Sequence, residues 1–364
     1  MVINVDESRK IFAIQTQNTT YAFAIDNIGL VRHIYWGKKI SCLEDIEVPI
    51  LSEFSSNDPV LDIAQEEFPV FGGMRYKEQC LKVRFFDGTR DIAYLYEGYE
   101  ISGKKLTVKL KDEYYDLKIK LNYNIIPERD LIERSTTIVN SGESNIEIEE
   151  IYSGQIHIPH QDLTLTATKG LWLAELQEFK QQVASSKMVL ESRRGLASHN
   201  HNPFFILDSN ADESAGDVYF GALKWSGNFK TVIEPRIYGS TLVQMGLNPY
   251  DCEFTLKPNE SFTTPIMVIG YSADGFSKMS IQMHEYAKTY ILKGGFRPVL
   301  YNSWEAMVFD VTCDGQIELA KKAASLGCEL FVLDDGWFGN RNSDKDGLGD
   351  WHINPKSSLR ASHR

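Results

Sequence analysis

The segment CELFVLDDGWFGNR, residues 328–341, decides the fold of the C-terminal part of this sequence. Its apolar residues run directly into Asp334 and Asp335, and a glycine and Trp337 follow at once. A short apolar run that is bounded by turn residues is typical of a buried strand. The segment therefore predicts a strand over residues 328–335 that ends on two carboxylates beside an indole.

The residues upstream of this strand predict the rest of a βαβ unit. The segment RPVLYNSW (297–304) is a short apolar strand, and DGQIELAKKAASLG (314–327) is a helix. Asp314 is a plausible N-cap and Gly327 closes the helix. Strand, helix and strand at this spacing predict two parallel strands that are buried on both faces.

The first 270 residues have a different pattern, in which short strands alternate with turn residues. YAFAIDNIGLVRHIYWG (21–37) alternates and breaks at Gly29, and KLTVKLKDEYYDLKIKLNYNII (105–126) alternates over two runs. ERSTTIVNSGESNIEIEEIYSG (133–154) predicts a hairpin around residues 140–142. The pattern predicts a large antiparallel sandwich over residues 1–270.

The remaining residues complete the predicted domain organisation. Residues 271–296 carry apolar side chains at helical spacing and end at Gly294 and Gly295, which predicts a helical linker. The βαβ unit then occupies a second domain, residues 297–364.

Composition narrows the class of protein. A formal net charge of −12 argues against nucleic acid or an anionic membrane as a partner. We find neither an apolar run long enough for a membrane span nor a secretory leader. Five scattered cysteines without a C-x-x-C pair favour reduced thiols in the cytoplasm and argue against structural zinc.

Polar and aromatic residues follow both predicted parallel strands. Asn302, Ser303 and Trp304 follow the first, and the aspartate pair follows the second. Ligands of parallel α/β folds bind at the carboxyl ends of the strands. Carboxylates accept hydrogen bonds from sugar hydroxyls and an indole face packs on a sugar ring, so the pattern favours a sugar site.

Two other interpretations of the acidic residues stay open at this point. An Asp-Asp pair after a strand also occurs as a helix N-cap with a solvated neighbour. NSDKDG (342–347) is similar to the start of a calcium loop, but it lacks the later glutamate of such loops and favours a turn. We therefore predict no metal site.

Several longer motifs resemble one family of enzymes. YNSWEAMVFDV (301–311), LAKKAASLGCELFVLDDGWFGNR (319–341) and LGDWHINP (348–355) resemble the opening of the catalytic barrel in glycoside hydrolase family 36 α-galactosidases, or melibiases. The similarity continues upstream, in HIYWGK (33–38), QEEFPVFGG (65–73), ESRRGLASHNHNPF (191–204) and WSGNF (225–229). The resemblance implies an N-terminal β-supersandwich followed by the first βαβ unit of a (β/α)8 TIM barrel.

The resemblance also implies an activity and a site. It implies a cofactor-free, homotetrameric, retaining enzyme that removes terminal α-galactosyl residues from melibiose or raffinose-type sugars. Trp304 matches a sugar-contacting tryptophan, and Asp334 and Asp335 match the pair that binds galactose hydroxyls. Trp172 matches a tryptophan at the pocket border, although Ala174 replaces the family's arginine. The further substrate-binding and cross-subunit residues that it implies are Trp337, Asp350, Trp351, Ser52 and Glu53.

The catalytic carboxylates are expected elsewhere. A retaining glycosidase needs two carboxyl groups about 5–5.5 Å apart, and the family's nucleophile lies in a later K-W-D-like segment, expected beyond residue 364. Residues 297–364 are far fewer than the roughly 250 of a complete barrel. We therefore expect a C-terminally truncated chain that is inactive alone. The alternatives are a non-catalytic galactose-binding or subunit-association fragment, half of a split enzyme, and a galactosyl transferase.

Overall fold

A computed structural model describes residues 2–44, 46–48, 50, 60–197, 200–237 and 239–357. The chain divides into two compact units, Met1–Thr289 and Tyr290–Arg364. Ser52 and Glu53, the predicted cross-subunit residues, lie outside the described residues. In the part of the chain that is described, no helix has the length and apolar character needed to cross a membrane.

The first unit is built mainly from strands joined by short turns. In chain order its strands are β1 (Ile3–Asp6), β2 (Ile11–Gln15), β3 (Thr19–Ile25), β4 (Val31–Lys38), β5 (Leu81–Arg84), β6 (Tyr94–Ser102), β7 (Lys105–Asp112), β8 (Leu117–Ile126), β9 (Leu131–Asn140), β10 (Ile146–Ile158), β11 (Thr164–Leu171), β12 (Ala174–Gln182), β13 (Met188–Ser192), β14 (Asn200–His201), β15 (Phe204–Asp208), β16 (Val218–Leu223), β17 (Phe229–Pro235), β18 (Thr241–Leu247), β19 (Phe254–Leu256), β20 (Ser261–Thr263) and β21 (Met267–Ser272). Its helices are α1 (Val60–Ile63), a 3₁₀ turn (Pro127–Arg129), α2 (Gly275–Tyr286) and a π-helical turn (Ala287–Ile291).

These strands form three sheets. One has the order β1-β2-β3-β4, and the second has the order β13-β17-β18-β10-β19 with β5 also paired to β10. The third has the order β12-β11-β15-β16-β21-β9-β8-β7-β6, with β14 beside β11 and β20 beside β9. Every pairing between these strands is antiparallel, which confirms the predicted antiparallel architecture.

The predicted hairpin around residues 140–142 is wrong. β9 pairs with β8, β20 and β21, whereas β10 pairs with β5, β18 and β19. The turn between β9 and β10 therefore carries the chain from one sheet to another. Alternation shows which side chains of a strand are buried, but it does not select the neighbouring strand.

Period-2 alternation accounts for the core of this unit. In β8 the residues that alternate into the interior are Leu117, Ile119, Leu121, Tyr123 and Ile125. They belong to one cluster that also contains residues of the other two sheets, such as Phe12 and Ile156. Fully burying each large apolar side chain contributes about 1.5–3 kcal/mol, so this shared core holds the sheets together.

Glu67 lies in the middle of this apolar core and is fully buried. Its carboxylate accepts hydrogen bonds from the hydroxyls of Tyr21 at 2.6 Å and Tyr123 at 2.7 Å, and it pairs with Arg134 at 2.9 Å. Burial raises the pKa of the carboxyl, but the charge of Arg134 and the hydrogen bond from His33 outweigh it, and the pKa falls to about 2. Glu67 therefore stays ionised in the core.

The neighbouring Glu66 is also buried and points to a second set of cations. Its carboxylate lies 2.8 Å from Nη2 of Arg75 and 2.7 Å from Nζ of Lys77. Burial raises the pKa of Glu66, and the charges of Lys77 and Arg75 reverse the effect and lower it to about 2. His157, 3.0 Å from the Glu66 carbonyl, has its pKa lowered to about 3, mainly by burial.

The helix in the predicted linker packs on the first unit. Met279 and Tyr286 of α2 are buried in a cluster with Leu131, Val218 and Phe220. The hydroxyl of Tyr286 also hydrogen-bonds to Glu133 in β9. These contacts make α2 part of the packing of the unit Met1–Thr289.

The second unit contains the predicted strand–helix–strand order. Its elements are β22 (Leu300–Asn302), α3 (Trp304–Met307), α4 (Cys313–Ser325), β23 (Leu330–Val332) and a 3₁₀ turn (Pro355–Ser357). β22 and β23 are parallel, with Leu300 opposite Leu330 and Asn302 opposite Val332.

Two details of the prediction for this unit are wrong. The strands are not buried on both faces: Leu300 is 51% exposed and Leu330 is 44% exposed, because a sheet of two short strands has little covered surface. The N-cap of α4 is Thr312 and not Asp314. Thr312 has an extended backbone, and its hydroxyl accepts a hydrogen bond from Gly315 N–H at 3.3 Å, as an N-cap does.

Candidate functional site

Parallel pairing of β22 and β23 places the two polar strand ends side by side. The backbone N–H of Ser303 donates to the carbonyl of Val332 at 3.0 Å, and the N–H of Asp334 donates to the Ser303 hydroxyl at 3.2 Å. The rings of Tyr301 and Phe331 stack across the pair with centroids 5.6 Å apart. These contacts fix the start of α3 against the acidic end of β23.

Asn302 connects the two strand ends through its side chain. Its Nδ2 donates to Oδ2 of Asp334 at 2.6 Å, and its Oδ1 accepts from the N–H of Trp304 at 2.8 Å. The other carboxylate oxygen of Asp334 accepts from the N–H of Asp335 at 2.7 Å. Asp334 is thus held in one orientation, and each of its oxygens keeps a second lone pair for a ligand hydroxyl.

Asp335 is held by a different partner, Arg341. Nη2 of Arg341 lies 3.1 Å from Oδ2 of Asp335, and Nη1 donates to the carbonyl of Asp346. The guanidinium lies over the rings of Phe309 and Phe338, 5.5 Å and 5.7 Å from their centroids. Arg341 is buried, so its charge is available to Asp335 with little screening by water. The sequence contains this arginine in the opening motif, but nothing in its spacing identifies Asp335 as its partner.

Gly336 turns the chain directly after the acidic pair. Its φ of +92° lies in the left-handed region, and a Cβ there would lie 2.8 Å from Val311. Glycine adopts this conformation without the steric cost that other residues have. The chain therefore changes direction at Gly336, between the acidic pair and the aromatic residues Trp337 and Phe338.

The predicted indoles and the remaining acid are distributed around this turn. Trp304 packs edge-on against Phe309, with centroids 5.0 Å apart. Trp337 lies edge-on to Phe338, and Trp351, which is 68% exposed, has its ring centroid 4.8 Å from that of Phe338. The N–H of Gly339 donates to the His352 carbonyl at 2.7 Å, which brings the 350–352 segment beside the turn.

Asp350 lies exposed in this second segment, and its Cβ would be 3.0 Å from a Cβ added at Gly339. Trp172 lies in the first unit, between β11 and β12, and is 71% exposed. The structure thus brings Asn302, Asp334, Asp335 and Arg341 into one hydrogen-bonded group. The indole of Trp172 is exposed at the tip of the hairpin that β11 and β12 form.

The carboxylate oxygens of this group can accept hydrogen bonds from the hydroxyls of a ligand. Asp334 and Asp335 are neighbours in sequence, and both already hold structural hydrogen bonds. Among the described residues, no group of three or more histidine, cysteine, aspartate or glutamate side chains is arranged to hold a metal ion.

Two known protein families match this chain over most of its length. Residues 29–257 match the glycosyl hydrolase family 36 N-terminal domain, and residues 261–361 match the melibiase family. The chain belongs to glycosyl hydrolase family 36. The resemblance drawn from the sequence motifs is therefore confirmed, and the matched melibiase range contains every predicted site residue of the second unit.

Relatives in family 36 resemble the chain over nearly its whole length. Alpha-galactosidase AgaA of Geobacillus stearothermophilus is 33% identical over 97% of this chain and 53% of its own. The crystal structure of GH36 alpha-galactosidase AgaB from the same organism has a TM-score of 0.91 at 30% identity, covering 98% of this chain and 53% of AgaB. A variant of AgaA was solved in complex with stachyose, with a TM-score of 0.89 at 31% identity, covering 96% of this chain and 53% of AgaA. The chain spans about half the length of the family 36 relatives that it matches.

Proposed function

We propose that this chain supplies the galactosyl-binding part of a retaining α-galactosidase. The substrates are oligosaccharides of the melibiose and raffinose type with a terminal α-D-galactosyl residue. Membership of family 36 supports the reaction class, and the solved complex of an AgaA variant with stachyose supports the class of substrate.

One observation carries this proposal. The carboxylate of Asp334 is oriented by Asn302, the residue that also binds the N–H of Trp304. A preorganised acceptor next to an indole matches what a sugar requires, because the carboxylate binds hydroxyls and the ring covers the apolar C–H side. A hydrogen bond to a charged group contributes about 1.5–3 kcal/mol, so this group can select a hydroxyl orientation.

Asp334 and Asp335 bind substrate in this proposal and do not form the catalytic pair. Retaining hydrolysis needs two carboxyl groups about 5–5.5 Å apart across the scissile bond. Here one aspartate accepts from the backbone of the other, and the second is neutralised by a buried arginine. We expect that residues 1–364 alone do not hydrolyse α-galactosides.

We also propose the finer features that the sequence predicted. They are a supersandwich in the first unit, the first βαβ unit of a TIM barrel in the second, a homotetramer, and a cytoplasmic location. Trp337, Asp350 and Trp351 are proposed to border the sugar. The roles of Trp172, Ser52 and Glu53 stay predictions from the resemblance of the sequence.

Calorimetry with the 364-residue chain tests the binding role. We expect galactose to bind with a Kd on the order of 1 mM, glucose to bind more weakly, and Asp334→Asn to lower the galactose affinity at least about tenfold. Asp344→Asn, an exposed aspartate of the same unit, is the matched control and should leave binding unchanged. Equal binding of both sugars, or full affinity in Asp334→Asn, would refute the proposal.

An aryl α-galactoside tests the assignment of catalysis. The chain should give no turnover above the background rate. Turnover that Asp334→Asn abolishes would show that this aspartate takes part in the chemistry and would overturn the division between binding and catalysis.

A further inference from the structure

Three neighbouring turns of the first unit enclose a cleft of about 430 Å³ that the proposed function does not use. The turns follow β5, connect β7 to β8, and connect β9 to β10. Two aromatic side chains stand out of them into solvent, Phe86 with 72% and Tyr114 with 79% of its surface exposed. Both line the same cleft, and clefts of about 300–1,000 Å³ with aromatic side chains and a few polar groups are the usual form of small-molecule sites.

The aromatic turns are held rigid by specific contacts. Oδ1 of Asp112 accepts the backbone N–H groups of Tyr114 at 2.9 Å and Tyr115 at 2.8 Å. The ring of Tyr115 stacks on buried Phe85 with centroids 3.7 Å apart and planes 7° apart, and its hydroxyl donates to Asp87 at 2.8 Å. Phe86 meets the edge of the Tyr115 ring at 6.4 Å. These contacts fix the backbone at Tyr114 and the ring of Tyr115, and restraint of this kind lowers the entropy cost of binding.

The third turn provides the polar side of the cleft and is fixed to the second. The N–H of Ser141 donates to the carbonyl of Asp116 at 2.8 Å, and the Ser141 hydroxyl donates to the same carbonyl at 3.0 Å. Nδ2 of Asn140 closes the turn on the Ser144 carbonyl at 2.8 Å. The side chains of Asp116, Glu143 and Asn145 lie exposed along this side.

The chemistry of these side chains selects the ligand class. No basic side chain is present among the described residues that line the cleft, and Asp116 and Glu143 are acidic. Anionic ligands such as phosphates are therefore disfavoured by repulsion. Flat aromatic faces beside hydroxyl, amide and carboxylate groups suit a neutral molecule that has many hydroxyls and an apolar ring face.

We infer that this cleft is an auxiliary carbohydrate-binding site, separate from the group around Asp334. Phe86 and Tyr114 provide stacking surfaces, and Asp116, Glu143 and Asn145 provide partners for hydroxyls. The inference stands on the geometry of the first unit and does not require the proposed function of the second.

Titration with stachyose tests this site in a chain whose other site has been disabled. The Asp334→Asn chain should still bind stachyose, as measured by calorimetry or by saturation-transfer NMR. Combining Phe86→Ala and Tyr114→Ala with Asp334→Asn should weaken this remaining binding at least about tenfold. Combining Tyr76→Ala with Asp334→Asn is the matched control, because Tyr76 is 76% exposed elsewhere in the first unit, and it should leave binding unchanged.

Each outcome decides the inference independently of the proposed function. Absence of stachyose binding in the Asp334→Asn chain, or equal binding after removal of both aromatic residues, would overturn it. Sedimentation provides a second check: if Phe86→Ala and Tyr114→Ala change the association state without changing stachyose binding, the cleft is a contact between copies and the inference is wrong. Failure of the galactose experiments on Asp334 leaves these measurements unaffected, since the variants lie in different units.

Discussion

The side chain of Asn302 donates from Nδ2 to Oδ2 of Asp334 across two parallel strands, with a separation of 2.6 Å. The same side chain accepts the N–H of Trp304 through Oδ1, so its orientation is fixed from both sides. A contact between residues thirty-two positions apart thus orients Asp334, the first aspartate of the acidic pair.

Asn302→Ala is expected to weaken galactose binding by about tenfold or more, because Asp334 loses a hydrogen bond of about 1.5–3 kcal/mol that orients it. Calorimetry on the 364-residue chain measures the effect. Asn342→Ala is the control, since the Asn342 side chain is exposed and donates to the neighbouring Asn340 carbonyl. Unchanged affinity in Asn302→Ala would show that Asp334 does not depend on this contact.

Arg341→Met is expected to reduce galactose affinity and to make the second unit more sensitive to protease. The substitution keeps an apolar stem between Phe309 and Phe338 but removes the charge that faces Asp335. Arg341→Lys should restore little, because an ammonium lacks the planar fork that reaches two acceptors. Limited proteolysis and calorimetry measure both effects.

The control for this experiment is Arg297→Met, an exposed arginine of the same unit. It should leave cleavage and binding as in the parent chain. If Arg341→Met behaves in the same way, the buried ion pair has no part in holding Asp335.

Glu67→Gln is expected to destabilise the first unit by about 3–5 kcal/mol, because it leaves Arg134 charged and unpaired in the core. The midpoint of urea unfolding, followed by tryptophan fluorescence, reports the change. Glu100→Gln is the control: Glu100 pairs with Lys109 at the surface, where such pairs contribute about 0–1 kcal/mol. A loss for Glu67→Gln no larger than that of the control would contradict the assigned role.

The stability of the first unit is expected to fall as the pH drops from about 6.5 towards 3. The pKa of His157 is about 3 in the folded chain against an ordinary value of 6.5, so in this window the unfolded state binds more protons and protonation favours unfolding. Glu66 and Glu67 add to the loss between 4.5 and about 2, because their folded pKa values are depressed.

Urea unfolding of His157→Gln separates these contributions. The variant should lose stability less steeply than the parent chain between pH 6.5 and 4.5. His284→Gln, at an exposed position of α2, should keep the parent slope. Identical slopes in all three proteins would mean that His157 does not control this dependence.

Local patterns in the sequence were sufficient for much of the fold and part of the site. Alternation located the paired strands β3 and β4, and β7 and β8, and the change of period at residue 297 located the βαβ unit. The motif around residues 328–341 led to the family and placed Asp334 and Asp335 at a strand end beside β22. Strand period and strand-end position are local properties, so the chain encodes them within a few residues.

Only the tertiary structure decided which groups meet. It separated β9 and β10 into different sheets, gave the cap of α4 to Thr312, paired Asp335 with Arg341, and placed Glu67 against Tyr21. Residues far apart in the chain make most of these contacts, and alternation fixes the face of a strand without naming its partner. The sequence therefore determined the elements and the family, and the packing of those elements determined how Asp334 and Asp335 are held.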